Sequence, residues 1–372
     1  PNLFEAKGGI QSYSLAFVKA IQQSLPEGKY KFFVKHDSKA PAHFSPPSTQ
    51  LIFAGKIHSP FRTLFFAIQL FLGAIYERPD LIITTHVNFA PVANLLQTIM
   101  GIPYYTVAHG IEVWNLQTPR LNSALRRADR ILAVSHYTRD RLIKEQHLDP
   151  QKIIVLPNTF DQSKFRIGPK PKYLLKRHQL LVDTQIILTV ARLSASEQYK
   201  GVDQIIQSLS QVIASVPNVH YIIVGKGDDL PRIEKLLQDL NLETYVTLTG
   251  FIPEEELCDY YNLCDVFAMP SKGEGFGIVY LEAMACGKPC LGGNQDAAID
   301  ALCCGELGAL VKPDDIHEIA QALIRILQGD YPNHLFRQPQ KLRKKVIEIY
   351  GFEEFKKKLN LIISTHFFDT TL

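Results

Sequence analysis

Short apolar runs alternate with longer amphipathic stretches along almost the whole chain. In the first half, runs at 30–34, 51–53, 81–84, 104–107, 131–134 and 153–156 have the length and composition of buried strands. Segments 11–24, 59–77 and 88–100 carry apolar residues at helical spacing between them. The second half repeats the rhythm, with strands at 186–190, 219–224, 246–249, 266–269, 289–291 and 309–311. Helices are predicted there at 202–215, 230–240, 254–263, 276–286 and 315–329, and a last one at 342–368. Strands that alternate with helices pair in parallel and have both faces covered. Two runs of about six strands therefore predict an α/β protein of two doubly wound domains. The join falls in 164–183, which holds Pro169, Pro171 and a cluster of basic residues.

A length of 372 residues agrees with two domains. The net charge of +3 is too small to argue for nucleic acid, and 46% hydrophobic with 21% charged residues describes an ordinary globular chain. All six cysteines lie in the second half without the C-x-x-C spacing of a zinc site, which points to thiols in a reducing cytoplasm. Segment 61–76 is unusually apolar but interrupted by Arg62 and Gln69. A core or domain-surface helix is its first reading, and peripheral contact with a membrane interface its second. The chain opens at Pro1-Asn2-Leu3-Phe4, where a nucleotide-binding fold would be leaving its first strand, so that strand is expected upstream of the numbering.

The richest chemistry lies in 271–289, where Gly273, Glu274, Gly275, Phe276 and Gly277 open a loop that becomes a helix carrying Glu282. Glycines let a backbone approach a ligand, and a helix start offers N–H groups and a positive dipole end to an anion. Two carboxylates beside such an anion site suit a ligand with both phosphate and hydroxyls, such as a nucleotide sugar. Arg192 follows the strand 186–190, and Lys200 follows eight residues later, before a helix. Such a pair of fixed cations can stabilise a departing diphosphate in place of a metal ion. No D-x-D motif stands at a strand end where a metal would be expected.

The G-E-G-F-G loop, the seven-residue spacing of Glu274 and Glu282, and the L-E-A-M-A-x-G-x-P run together resemble the donor-site motif of the retaining glycosyltransferases of family 4 (glycosyl transferases group 1). That family has the GT-B fold, two Rossmann-like domains facing across a cleft, and the resemblance covers essentially the whole chain. It implies an N-terminal acceptor-binding domain at 1–165, a nucleotide-sugar-binding domain at 166–345, and a C-terminal helix, 346–372, crossing back to the first. It also implies donor contacts at Gly9, Arg192, Lys200, Gly225, Gly227, Phe251, Ile252, Glu274, Gly275, Phe276, Gly277 and Glu282. Glu274 would meet the transferred sugar, Glu282 the ribose, and the backbone near Phe251 and Ile252 the base. His109, in the His109-Gly110 pair after the strand 104–107, resembles the family residue that positions a sugar hydroxyl. Arg192, Lys200, His109 and Glu274 are thus the expected catalytic set, with His86, Asn88 and Glu112 as acceptor contacts.

The expected reaction moves a hexose of mannose or glucose type from a GDP- or UDP-linked donor to a saccharide or lipid-linked acceptor. No metal or other cofactor is expected, and the expected location is the cytoplasm, at the inner face of the membrane. A departure stands at Gly292-Gly293, where Asn294-Gln295-Asp296 replaces the Pro-Glu or similar turn of many relatives and leaves donor-sugar choice open. Two rivals share the fold. A nucleotide-sugar 2-epimerase would need further acid–base residues around the sugar. A non-catalytic saccharide- or partner-binding subunit would be expected to have lost one of the four residues Arg192, Lys200, Glu274 and Glu282, all of which are present.

Overall fold

A computed structural model describes residues 2–5, 8–41, 44 and 49–369. The chain divides into two compact units, one of residues 1–160 with 352–372 and one of residues 161–351.

The first unit runs α1 (Gly9–Ser24), β1 (Tyr30–Val34), β2 (Thr49–Phe53), α2 (Ser59–Glu77), β3 (Ile82–Thr84), α3 (Ala90–Met100), β4 (Tyr104–Ala108), α4 (Pro119–Arg127), β5 (Arg130–Ala133), α5 (His136–Gln146) and β6 (Ile153–Val155). Strands β3, β4, β5 and β6 pair in parallel in that order, while β1 and β2 form a separate parallel pair. The single sheet of about six strands that the apolar runs imply is therefore in two pieces among the described residues. Tyr104 and Ala108 of β4 and Ile131 of β5 pack with Leu121 and Leu125 of α4 and Leu142 of α5. Helices α4 and α5 escape the periodicity because both are short and polar. Their starts are local: Pro119 occupies the first turn of α4, and the Ser135 hydroxyl caps α5 by accepting from the Thr138 N–H.

The second unit contains α6 (Lys172–Arg177), β7 (Gln185–Val190), α7 (Val202–Ser215), β8 (Val219–Val224), α8 (Leu230–Asp239), β9 (Val246–Gly250), α9 (Glu254–Leu263), β10 (Val266–Met269), α10 (Ile278–Ala285), β11 (Cys290–Gly293), α11 (Ala298–Ala301), β12 (Ala309–Val311), α12 (Ile316–Gln328) and α13 (Pro339–Tyr350). Its six strands form one parallel sheet in the order β12-β11-β10-β7-β8-β9. Alternation along the strands supplies both faces. Val266 and Ala268 of β10 join a core with Ile205, Ile206 and Leu209 of α7 and Ile319 and Leu323 of α12. Phe267, between them, turns to the other face and packs edge-on against Tyr261 of α9 and Tyr280 of α10. The six cysteines are free, with the Cys258 and Cys286 sulfurs 3.9 Å apart.

The expected single helix over 342–368 is two helices. α13 ends at Tyr350, Gly351 is extended (φ −63°, ψ 159°), and α14 (Phe352–Asp369) begins anew. Glycine is a poor helix former, so the break falls where continuing the helix is least favoured. α14 belongs to the first unit, where Phe355 meets Tyr13 of α1 edge-on at 5.6 Å and Lys356 donates to Gln23.

Candidate functional site

In the second unit the chain leaves β7 and runs outward through β8 and β9, then returns to the other side of β7 for β10, β11 and β12. The loops after β7 and β10 therefore diverge from one point at the carboxyl edge of the sheet, the position where open α/β sheets bind ligands. Arg192 and Lys200 lie in the first of these loops and Glu274 in the second.

The structure brings these three together. Lys200 Nζ lies 2.7 Å from a Glu274 oxygen, with both side chains mostly buried. Glu197, absent from the sequence expectations, completes the set: it pairs with Arg192 at 2.7 Å and with Lys200 at 3.5 Å. Burial opposes the charge on Lys200, but the carboxylate of Glu274 outweighs it, so the ammonium is held charged and its pKa lies above the usual lysine value. Arg192 is different, with 73% of its side chain exposed. The i, i+3 spacing of Glu197 and Lys200 was the one signal in the sequence that could have indicated Glu197.

The glycines after β8 let two loops of this edge pack closely. A Cβ on Gly225 would stand 1.8 Å from the Ala191 carbonyl oxygen, and one on Gly227 would stand 1.7 Å from that of Leu193. They let the loop after β8 lie against the loop that carries Arg192, zipped by Ala191 N–H to Val224 O and Leu193 N–H to Lys226 O. Asp228 then accepts from the Ala195 N–H, and Asp229 from Gln198, which braces the turn leading to Lys200.

Glu274 is held from behind by Asp296, a residue of the divergent loop. Its fully buried carboxylate accepts from the Ser271 hydroxyl and the Glu274 N–H, each at 2.7 Å, and from the Ala298 N–H at 2.9 Å. Burial pushes its pKa up to about 6 against those hydrogen bonds. Gly277 (φ +88°) begins α10 in the left-handed region, where a side chain would also meet the Tyr280 ring. Phe276, expected among the donor contacts, is a core residue: its ring is buried edge-on against Tyr350, so only its main chain remains for a ligand. Gly275 beside it is half-buried.

Glu282 engages a different set of partners from Glu274. Tyr261 of α9 donates to it at 2.8 Å, and burial raises its pKa to about 7. Phe251, just past β9, is an exposed ring with the Lys226 ammonium 5.2 Å from its centre, and Ile252 beside it is half-buried. An exposed aromatic face backed by a cation is suited to a flat ring. Among the described residues no three His, Cys, Asp or Glu side chains converge.

In the first unit, His109 is buried after β4, and its Nε2 lies 2.9 Å from the Thr85 carbonyl. A carbonyl only accepts, so Nε2 carries the proton and neutral His109 presents Nδ1 as an acceptor. Burial lowers its pKa to about 4. Glu112, expected to touch acceptor, accepts from the His109 N–H and so positions that residue. His86, with its ring 6.3 Å from that of His109, accepts from the Asn88 N–H and caps the turn Val87–Phe89. The Asn88 side chain is exposed, as is Gly9 at the start of α1. Tyr13, a residue the sequence did not single out, is fully buried edge-on to His109 at 5.1 Å, and its hydroxyl has no partner among the described residues.

Comparison with known proteins follows the same two units. The family model described as Glycosyltransferase Family 4 matches residues 8–164, and that described as Glycosyl transferases group 1 matches residues 174–348. The chain is 33% identical over 337 residues to the GDP-mannose-dependent alpha-(1-6)-phosphatidylinositol monomannoside mannosyltransferase of Mycolicibacterium smegmatis, covering 85% of each chain. It is 26% identical over 272 residues to the N-acetyl-alpha-D-glucosaminyl L-malate synthase of Bacillus anthracis, covering 70% of this chain and 68% of the relative. Among solved structures, it is similar to Anabaena Alr3699/HepE in complex with UDP and glucose, with a TM-score of 0.76, 19% identity and 96% of each chain covered. A glycosyltransferase from Rickettsia africae superimposes with a TM-score of 0.78 at 17% identity, covering 97% of this chain and 96% of that one. The fold is thus GT-B, built from two Rossmann-like α/β domains.

Proposed function

The chain belongs to the group 1, family 4 glycosyltransferases, and from that premise we propose that it transfers a mannose-type hexose from a GDP-linked donor to a lipid-linked or saccharide acceptor. The observation that carries the reading is the Lys200–Glu274 pair at the switch point of the second unit, with Arg192 exposed beside it. The donor diphosphate takes over Arg192 and Lys200 from Glu197 and Glu274, which frees the Glu274 carboxylate for the hydroxyls of the sugar. Glu282 takes the ribose hydroxyls and the Phe251 region takes the base. The GDP-mannose dependence of the mycolicibacterial relative supports mannose and GDP over the UDP and glucose of the Anabaena structure.

The transfer proceeds with retention and without a metal. The bond from the anomeric carbon to the β-phosphate oxygen breaks, and the acceptor oxygen bonds to that carbon on the same face. The acceptor proton passes to the departing phosphate, whose charge Arg192 and Lys200 neutralise. The first unit receives the acceptor, with His109 and His86 as neutral hydroxyl partners. The reaction takes place at the inner face of the membrane, where a lipid-linked acceptor resides.

Calorimetry with GDP-mannose, UDP-glucose and UDP-N-acetylglucosamine, followed by analysis of the released nucleotide, tests the reading. Tightest binding of GDP-mannose is expected. If none of the three binds, the transferase reading fails, and a C2 epimer formed without acceptor would indicate the epimerase instead.

A further inference from the structure

The outward side of α2 is a continuous apolar stripe. Phe61, Leu64, Ile68, Leu72, Ile75 and Tyr76 recur at helical spacing, and each side chain is between 43% and 80% exposed. Between Phe61 and Tyr76 the other exposed positions on that helix are Thr63 and Phe65, so 16 consecutive positions present no exposed charge. α3, which packs on α2, adds exposed Leu95 and Ile99 with Thr98 between them. A soluble chain seldom leaves so large an apolar surface open without an occupant. No helix among the described residues is long and apolar enough to cross a membrane, so this face can lie on a bilayer but not span one.

Charge indicates which occupant. The first unit holds 20 Lys and Arg against 13 Asp and Glu, whereas the second holds 20 against 24. Arg127 of α4 reaches Thr98 on the apolar face, and Arg120 and Arg126 are exposed on the same helix. A second copy of this chain would bring like charge against like charge, whereas an anionic lipid surface offers the opposite sign. The face also leads towards the candidate acceptor residues. Phe66 on the inner side of α2 packs on Phe89 at 5.3 Å, Phe89 on His86 at 6.3 Å, and His86 lies 6.3 Å from His109.

We propose that the α2–α3 face docks on an anionic bilayer surface and presents a membrane-embedded acceptor, headgroup first, to His86 and His109. This deepens the function proposed above and rests on it for the identity of the acceptor. The test is flotation of the full chain with vesicles of phosphatidylcholine alone or mixed with phosphatidylglycerol, at low and high salt, beside the variant Leu64→Glu/Ile68→Glu. The wild type is expected to float with the anionic vesicles and to be released by salt, and the variant to lose at least about tenfold in bound fraction. Circular dichroism and GDP-mannose binding should be unchanged in the variant, since both positions are exposed and lie outside the second unit. Failure of the wild type to float, or equal flotation of the variant, would overturn the docking face while leaving donor binding as the test of transfer. A concentration-dependent dimer that the variant abolishes, without vesicle binding, would overturn it in favour of a second copy. Flotation that persists while no nucleotide sugar binds would sink the transferase reading and uphold the docking face.

Discussion

Lys200 and Glu274 meet at 2.7 Å although one follows β7 and the other follows β10, so a single ion pair spans the point where the strand order of the second unit reverses. The pair holds in one contact the cation proposed for the diphosphate and the carboxylate proposed for the sugar. In the proposed function, binding a donor exchanges that contact for two new ones. The site is therefore electrostatically satisfied before the ligand arrives.

Removing Lys200 should affect both rate and stability. Lys200→Ala leaves Glu274 mostly buried without its partner, which should cost about 3 kcal/mol of unfolding free energy. Turnover should fall by about 100-fold or more, as when a charge-stabilising group is lost. The double variant Lys200→Ala/Glu274→Ala should regain part of the stability and none of the activity, which chemical denaturation and nucleotide-release assays will show.

Glu282 makes stability depend on pH. Its folded pKa is raised to about 7 by burial, with the Tyr261 hydrogen bond pulling the other way, while an unfolded glutamate titrates near ~4.3. Between those values the folded state holds a proton that the unfolded state has lost, so stability should fall as pH rises from about 4.3 to about 7 and then level off. Glu282→Gln should remove that slope and be more stable than the wild type by roughly 1–3 kcal/mol at pH 8. Glu282→Ala should weaken donor binding by more than about tenfold, the value of one charge-assisted hydrogen bond. Unchanged affinity by calorimetry would remove Glu282 from the site.

The glycines at the strand ends can be ranked. At Gly225 and Gly227 a Cβ would overlap a backbone oxygen of the neighbouring loop, so alanine there should cost more than about 3 kcal/mol and disturb donor binding with it. Gly250 has φ +67° but open space around it, so alanine there should cost only about 1–2 kcal/mol. Thermal unfolding of the three variants tests this order.

His109 should not titrate during turnover. Its pKa is lowered to about 4 by burial, so it stays neutral from about pH 5 upward. The profile of kcat/KM against pH should show no inflection near ~6.5, where a free histidine would give one. An inflection there that His109→Asn abolishes would mean that the imidazole is charged in the working enzyme.

The twelve strands among the described residues were legible because parallel strands buried on both faces leave short unbroken apolar runs, as in Ile186–Leu188 and Tyr221–Val224. The helices α4 and α5 were not, because α4 is nine residues long and buries only Leu121, Ala124 and Leu125, while α5 is mostly polar and starts on the Ser135 cap, and Gly351 was read through as helix. Arg192, Lys200 and Glu274 could be picked out because each stands in a short motif, Arg192-Leu193 with Lys200-Gly201 and the G-E-G-F-G loop, whose residues lie close in the sequence. Tyr261 and Tyr13 could not, because their parts depend on which loops and helices the fold brings side by side, and Glu197 left only its i, i+3 spacing to Lys200. Asp296 is the sharpest case. In the sequence it marked a departure from the family pattern, and in the structure it is the buried carboxylate that fixes the Glu274 backbone.

Titration of the full chain with GDP-mannose, in the wild type and in Lys200→Ala, tests whether Lys200 holds the donor. Saturable 1:1 binding by the wild type without added metal is expected, weakened by more than about tenfold in Lys200→Ala, the loss expected for a charge-assisted contact. Equal affinity in the two proteins, or binding that appears only when a divalent cation is added, would contradict it.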